Sequence, residues 1–278
     1  MPQLENFTVA KPKRVKEGEE PYIHHVIISR PKRYDAMIAY GGHGGAEMLK
    51  AAEFKRKRLL EKDPESVIPA PKIFRSQQEF KDIWTSIFND LQLRNKSGMY
   101  TYELYEIHIF AHSNSDFIII KEGEHITEEV VKTLEKLRWH PQNGYLVLHS
   151  CRSGRFEDDD IIERNSKECI ARSFSKFHET NVIGQMVFAS YNSIIHSSEI
   201  RYREMANDYV EVDILGSKNL VLWGYKSGNK IKKHYSKQEE FSALNDGQIW
   251  PCRKFRNGEE YNRHVAPEKF NFDDLTFI

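Results

Sequence analysis

The chain has 278 residues, 39% of them hydrophobic, with 41 Lys and Arg against 41 Asp and Glu. That composition supports one large core, or one core with a small appendage, and the neutral balance argues against a nucleic-acid binder, which carries a basic surplus. No apolar run reaches the roughly 20 residues of a membrane span, and the polar start MPQLENFTVAKPKRVKEGEE lacks the apolar stretch of a secretory signal, so residence in a cytoplasm is expected unless export uses a route without a cleavable signal.

Residues 1–21 are charged and interrupted by prolines, which predicts an extended arm. Tyr22–Ile28 and Arg33–Tyr40 are strand candidates, the second stopped by Gly41-Gly42-His43-Gly44-Gly45. Ala46–Lys62 is rich in Ala, Leu, Glu and Lys and predicts a helix, on which the basic run Lys55–Arg58 reads as a solvated face. Lys72–Phe74 is a short strand. Ser76 and Glu79 form a capping-box pattern for a helix over Gln77–Leu91 that turns Phe80, Ile83, Trp84, Ile87, Phe88 and Leu91 inward.

Tyr105–Ala111 predicts a strand ending in His112-Ser113-Asn114-Ser115-Asp116, with Phe117–Ile120 returning as a small hairpin. Thr127 caps a helix running to Trp139, and Tyr145–Leu148 is the strand that leads into His149-Ser150-Cys151. After a charged loop over Arg155–Asp160 come a helix over Glu168–His178 and a strand over Val182–Ala189. A polar helix is expected near Ser197–Tyr209, then strands over Val210–Ile214 and Leu220–Tyr225. The tail from Ser236 reads as irregular, which divides the chain into an arm (1–21), one domain (22–235) and an extension packed on it (236–278).

Strands alternating with helices predict an α/β fold with a mostly parallel sheet covered on both sides, and in such sheets functional groups collect at the carboxyl ends of the strands. GGHGG at 41–45, AHSNSD at 111–116 and HSCRSG at 149–154 all stand at such ends. The cysteines fall at 151, 169 and 252, with no C-x-x-C and no zinc-finger spacing, so neither a disulfide framework nor a structural zinc site is expected. Cys151 then reads as packing, as a metal ligand or as a nucleophile. Cys169, inside an apolar helix pattern, reads as packing, and Cys252 has no evident partner.

The crossover between the strand ending at His112 and the strand ending before Cys151 is long enough to lay the two parallel and side by side, about 4.8 Å apart. A histidine beside a thiol supplies the base or the positive neighbour that makes a thiolate at neutral pH. Backbone amides past the strand end can face an oxyanion, and Ser150, Ser153 and Gly154 leave room for a substrate carbonyl. GGHGGAE lacks the Lys-Ser/Thr of a phosphate-binding loop, and no G-x-S-x-G elbow accompanies it. A metal site from His24, His25, His43 and His112 has no supporting spacing, and no metal or cofactor is expected.

YLVLHSCRSG resembles the nucleophile strand of caspase-like (clan CD) cysteine peptidases, nearest in motif to metacaspases, which read D-S-C-H-S-G here, and to CHAT peptidases. IARSFSKFHETNVIGQMVFAS is similar to the CHAT stretch that follows the nucleophile. The resemblance implies a caspase-like α/β/α sandwich and a cysteine endopeptidase acting on a protein or peptide substrate. His112 would be the general acid/base, Cys151 the nucleophile, and the backbones of Cys151 and Ser113 the oxyanion hole. The chain departs from the pattern at Ser113, where the family has glycine, and at His149, where metacaspases carry an aspartate that binds a basic P1 side chain. Preference for Lys or Arg therefore does not carry over. His43, His149, Ser150, Ser190 and Asp158 are the candidates for the substrate side. An inactive binding module of the same fold, and a thiol-dependent deamidase or transamidase of the kind bacterial effectors use, are the rival readings.

Overall fold

The structure, a computed structural model, describes residues 31–96, 100–156, 168–185 and 252–261, and the backbone of short strands at 190–192, 202–205, 209–212 and 220–222. The expected arm and the strand candidate Tyr22–Ile28 lie outside these residues. In chain order the elements are β1 (Lys32–Tyr40), α1 (Gly45–Lys62), β2 (Lys72–Phe74), α2 (Gln77–Lys96) and β3 (Tyr102–Phe110). Then follow β4 (His112–Ser113), β5 (Ile118–Lys121), β6 (Glu124–Ile126), α3 (Glu128–Lys132), β7 (Tyr145–His149), α4 (Ile170–His178) and β8 (Asn181–Gln185). The remaining strands are β9 (Ser190–Asn192), β10 (Tyr202–Met205), β11 (Tyr209–Val212), β12 (Leu220–Leu222), β13 (Cys252–Arg256) and β14 (Glu259–Glu260).

The protein is an α/β fold around a mostly parallel sheet of order β14-β13-β8-β7-β3-β1-β2. β2, β1, β3, β7 and β8 run parallel, and β13 is antiparallel to both neighbours. β1 is buried from Tyr34 through Tyr40 without alternation, as a strand covered on both faces requires. Right-handed crossovers explain which helix goes where. The step from β1 to β2 runs one way along the sheet and puts α1 on one face. The steps from β2 over to β3, β7 and β8 run the other way and put α2, α3 and α4 on the opposite face. There Trp84 of α2 lies against Phe174 and His178 of α4, while α1 packs on β1 and β3. The direction reverses between β1 and β3, so the loops after these two strands flank the crevice where such sheets bind ligands.

Local sequence accounts for the well-formed elements. Ser76 Oγ accepts the Glu79 N–H at 3.1 Å, and the Glu79 carboxylate reaches back to the Arg75 N–H. The helix these caps start extends past Leu91 to Lys96. Phe80, Ile83, Trp84, Ile87 and Leu91 are buried, and Phe88 is partly so. The small hairpin after His112 is present, extended by β6 into a three-stranded sheet.

Three expectations are corrected. The helix capped by Thr127 ends at Lys132 rather than Trp139, because the chain then turns to pair with the start of β3: Leu104 donates to the Arg138 carbonyl and His140 to the Leu104 carbonyl. Leu134 and Leu137 stay buried without the helix. Where a helix was expected near Ser197–Tyr209, the described residues 202–205 are the strand β10, pairing antiparallel with β11 and with Met205 opposite Tyr209. The tail is not irregular throughout. Residues 252–260 form a hairpin whose turn, Asn257-Gly258, has both residues at positive φ (51° and 77°), and β13 extends the central sheet against β8.

Candidate functional site

β3 and β7 lie side by side in parallel, with Phe110 opposite His149, so the residues that follow both strands emerge on one rim. The backbone ladder stretches there: Ala111 N–H reaches the His149 carbonyl at 3.4 Å. A side chain closes the gap, since the Ser113 hydroxyl donates to the Cys151 carbonyl oxygen at 2.5 Å. Cys151 is thus touched by the residue that directly follows His112. Cys151 is partly exposed, whereas Cys169 sits at the N-cap of α4 and is buried in the core; neither forms a disulfide. Cys252 lies on β13, and its side chain is outside the described part of the structure.

Cys151 opens a tight turn over 151–154. Arg152 takes a left-handed conformation (φ 54°), and Arg155 N–H returns to the Arg152 carbonyl. The turn is pinned from below. Gly154 N–H donates to the Gln185 carbonyl at 2.8 Å, Gln185 N–H donates to Ser153 Oγ, and Ala171 N–H donates to the Ser153 carbonyl. The small residues expected to leave room for a substrate serve this packing instead. Ser150 and Ser153 are fully buried, and Gly154 abuts the backbone of Gly184.

His112 is oriented by the glycine loop. Its Nε2 stands 2.9 Å from the His43 carbonyl oxygen. A carbonyl only accepts, so Nε2 carries the proton, and in the neutral ring Nδ1 holds the lone pair. The His43 ring stacks at 6.3 Å and the Tyr40 ring meets His112 edge-on at 5.9 Å, while the Tyr40 hydroxyl donates to the Ile120 carbonyl. Gly44 is left-handed (φ 69°) and caps α1, so the loop turns back over the histidine without side-chain bulk. His43, expected on the substrate side, is exposed and touches His112 through its backbone oxygen.

His149 is not at the surface. It is fully buried, which takes it out of reach of a substrate. Its ring stacks coplanar on Phe110 at 4.3 Å, and its Nε2 lies 2.9 Å from His108 Nδ1. Ser150, likewise buried, cannot meet a substrate either. The side chain of Ser190, and Asp158 entirely, lie outside the described part of the structure.

Sequence reasoning missed what lies behind His149. The α1 face of the sheet carries a buried polar array. Arg33 Nε donates to Asp35 at 2.6 Å and Arg33 Nη2 meets Glu106 at 2.8 Å. Glu106 accepts from His108 Nε2 at 2.6 Å, and His108 meets His149. A bulge between Tyr34 and Asp35 turns the Glu106 N–H toward Asp35 Oδ1. Lys55 of α1, read as part of a solvated face, is buried over the same array. Burial works to raise the Glu106 pKa, but the bond from His108 and the charges of Lys55 and Arg33 outweigh it and hold the carboxyl below its ordinary range. Burial pushes Asp35 up to about 7 against Arg33, Lys55 down to about 8, and His108 down to about 4, so His108 is neutral near pH 7. Burial, then the neighbouring His108 and Lys55, also lowers His149 well below its usual range. The signal was present in Glu106-Ile107-His108, where alternation puts two ionisable side chains on one face of a buried strand.

A partly exposed thiol thus shares its rim with a histidine of fixed tautomer, on the strand pair beside the switch point. Among the described residues no three His, Cys, Asp or Glu side chains are grouped to hold a metal ion, and no helix is long and apolar enough to cross a membrane. The chain matches no protein-family model, and no curated protein is similar to it in sequence.

Proposed function

We propose that the protein is a cysteine endopeptidase with a caspase-like sandwich, using Cys151 as nucleophile and His112 as general acid/base. The observation that supports the reading is the hydrogen bond from Ser113, the residue after His112, to the Cys151 carbonyl, made just past the ends of two neighbouring parallel strands. Nδ1 of His112 takes the Cys151 proton, and the thiolate adds to the scissile carbonyl. The backbone N–H groups of Cys151 and Ser113 hold the oxyanion, as the family resemblance implies. His112 returns its proton to the leaving amine, giving a thioester and a free amino terminus. Water, deprotonated by His112, then releases the acid and restores the thiol.

Cys151→Ala and His112→Ala are each expected to lower kcat/KM for a cleaved peptide by roughly 10³-fold or more, while Cys169→Ala leaves it unchanged. A thiol-directed peptide probe should label Cys151 at neutral pH. Mass spectrometry of the products decides the chemistry: two fragments support peptide cleavage, and an intact chain of altered mass points to deamidation or transamidation. Full activity in Cys151→Ala would end the proposal.

A further inference from the structure

Burying the polar array under α1 carries a desolvation cost. Arg33, Asp35, Lys55, Glu106, His108 and His149 occupy positions where apolar residues of similar volume would be neutral or stabilising. They are not scattered. On the parallel register, Glu106 and His108 share a face of β3 with His149 of β7, and the contacts run in sequence toward the nucleophile end: the Arg33–Glu106 ion pair at 2.8 Å, then the Glu106–His108 hydrogen bond at 2.6 Å and the His108–His149 hydrogen bond at 2.9 Å. Chemistry fixes the direction of every proton. The Glu106 carboxylate accepts from His108 Nε2–H. That leaves His108 Nδ1 as an acceptor, so His149 donates through Nε2–H. The last residue of β7, two positions before Cys151, is held in one tautomer and one ring orientation by a carboxylate four strand positions before Phe110.

We propose that His149, with His108 and Glu106 behind it, is a positioning residue for the Cys151–His112 pair. His112 follows β3 and Cys151 follows β7, and side chains tie the two strand ends at two levels. Ser113 to the Cys151 carbonyl is the upper tie, and His108 to His149 is the lower one. Between them the backbone bond from Ala111 is stretched to 3.4 Å. The lower tie touches no substrate and acts by holding the thiol turn in register with the imidazole. This rests on the peptidase reading for its effect on turnover, but not for its effect on the thiol.

The test compares His149→Leu with His149→Gln, in which a side-chain N–H can still reach His108, and with Glu106→Gln, which keeps the shape but removes the charge that sets the proton order. Folding is followed by urea unfolding, the thiol by the pH dependence of Cys151 alkylation in a Cys169→Ala/Cys252→Ala background, and turnover by peptide cleavage. His149→Leu strips the buried His108 Nδ1 of its donor, so it should fold with a lowered urea midpoint, and at conditions where it is fully folded it should show an altered alkylation profile and a kcat lowered 10- to 100-fold at a KM within about threefold. His149→Gln should recover most of that loss, and Glu106→Gln should fall between the two with a shifted pH profile. If His149→Leu folds poorly, Glu106→Gln and His149→Gln carry the comparison. Wild-type alkylation and turnover in a folded His149→Leu or Glu106→Gln protein would overturn the proposal. Absence of cleavage by the wild type, with alkylation still altered in the variants, would sink the peptidase reading and leave the tie standing.

Discussion

Gly154 and Gly184 meet backbone to backbone behind the thiol turn. A Cβ on Gly154 would fall 2.6 Å from the Gly184 carbonyl oxygen, and one on Gly184 would fall 2.6 Å from the Gly154 nitrogen. Neither contact can relax by moving a flexible side chain, because backbone stands on both sides. Gly184→Ala should therefore destabilise the protein by roughly 1–3 kcal/mol, measured as a lower urea midpoint. It should also slow Cys151 alkylation, because the turn over 151–154 hangs on the Gly154–Gln185 bond. A wild-type midpoint and wild-type alkylation would show that β8 can retreat from the turn. The motif S-C-R-S-G displayed the small residues, but it did not display the strand they pack against.

At the scale of an element, α4 ends on Glu179 in a left-handed conformation (φ 52°), a position that favours glycine. The side chain is mostly exposed and pairs with an equally exposed Lys136, a contact worth little in water. Glu179→Gly should raise stability by roughly 0.5–1 kcal/mol, seen as a higher thermal midpoint with no change in thiol reactivity. A lower midpoint would mean that the pair outweighs the backbone strain. Helix formers made α1 legible by composition and an apolar stripe made α2 legible by period, but composition alone left Lys55 on the wrong face of α1. The five-residue α3 yields to pairing with β3, and the hairpin that carries β13 has its local signal in Asn257-Gly258.

Among the described residues, buried neutral histidines weigh against stability in acid. Burial holds His108 and His178 down to about 4, and His149 below its ordinary range. Between the unfolded value of about 6.5 and these lowered values the unfolded chain binds more protons, so stability falls as the pH drops through that window, by on the order of 3 kcal/mol for each of His108 and His178. Asp35, raised to about 7, works in the opposite sense: the folded state holds its proton where the unfolded chain does not. Three lowered histidines stand against one raised aspartate, so among these groups the slope favours neutral pH. The urea midpoint should drop clearly between pH 7 and pH 4.5, and His178→Phe should flatten that drop. A midpoint independent of pH would show that water reaches these rings.

The sequence alone determined the alternation that makes an α/β sheet, the strand ends that carry His112 and Cys151, and their emergence on one rim. These follow from periodicity, crossover length and the handedness of the chain, all local or nearly so. Only the tertiary structure decided that the His43 carbonyl orients His112, that His149 and Ser150 lie inside, and that a charged array runs beneath the thiol turn. Those depend on register between strands distant in sequence, where a shift of one residue would turn Glu106, His108 and His149 to the other face.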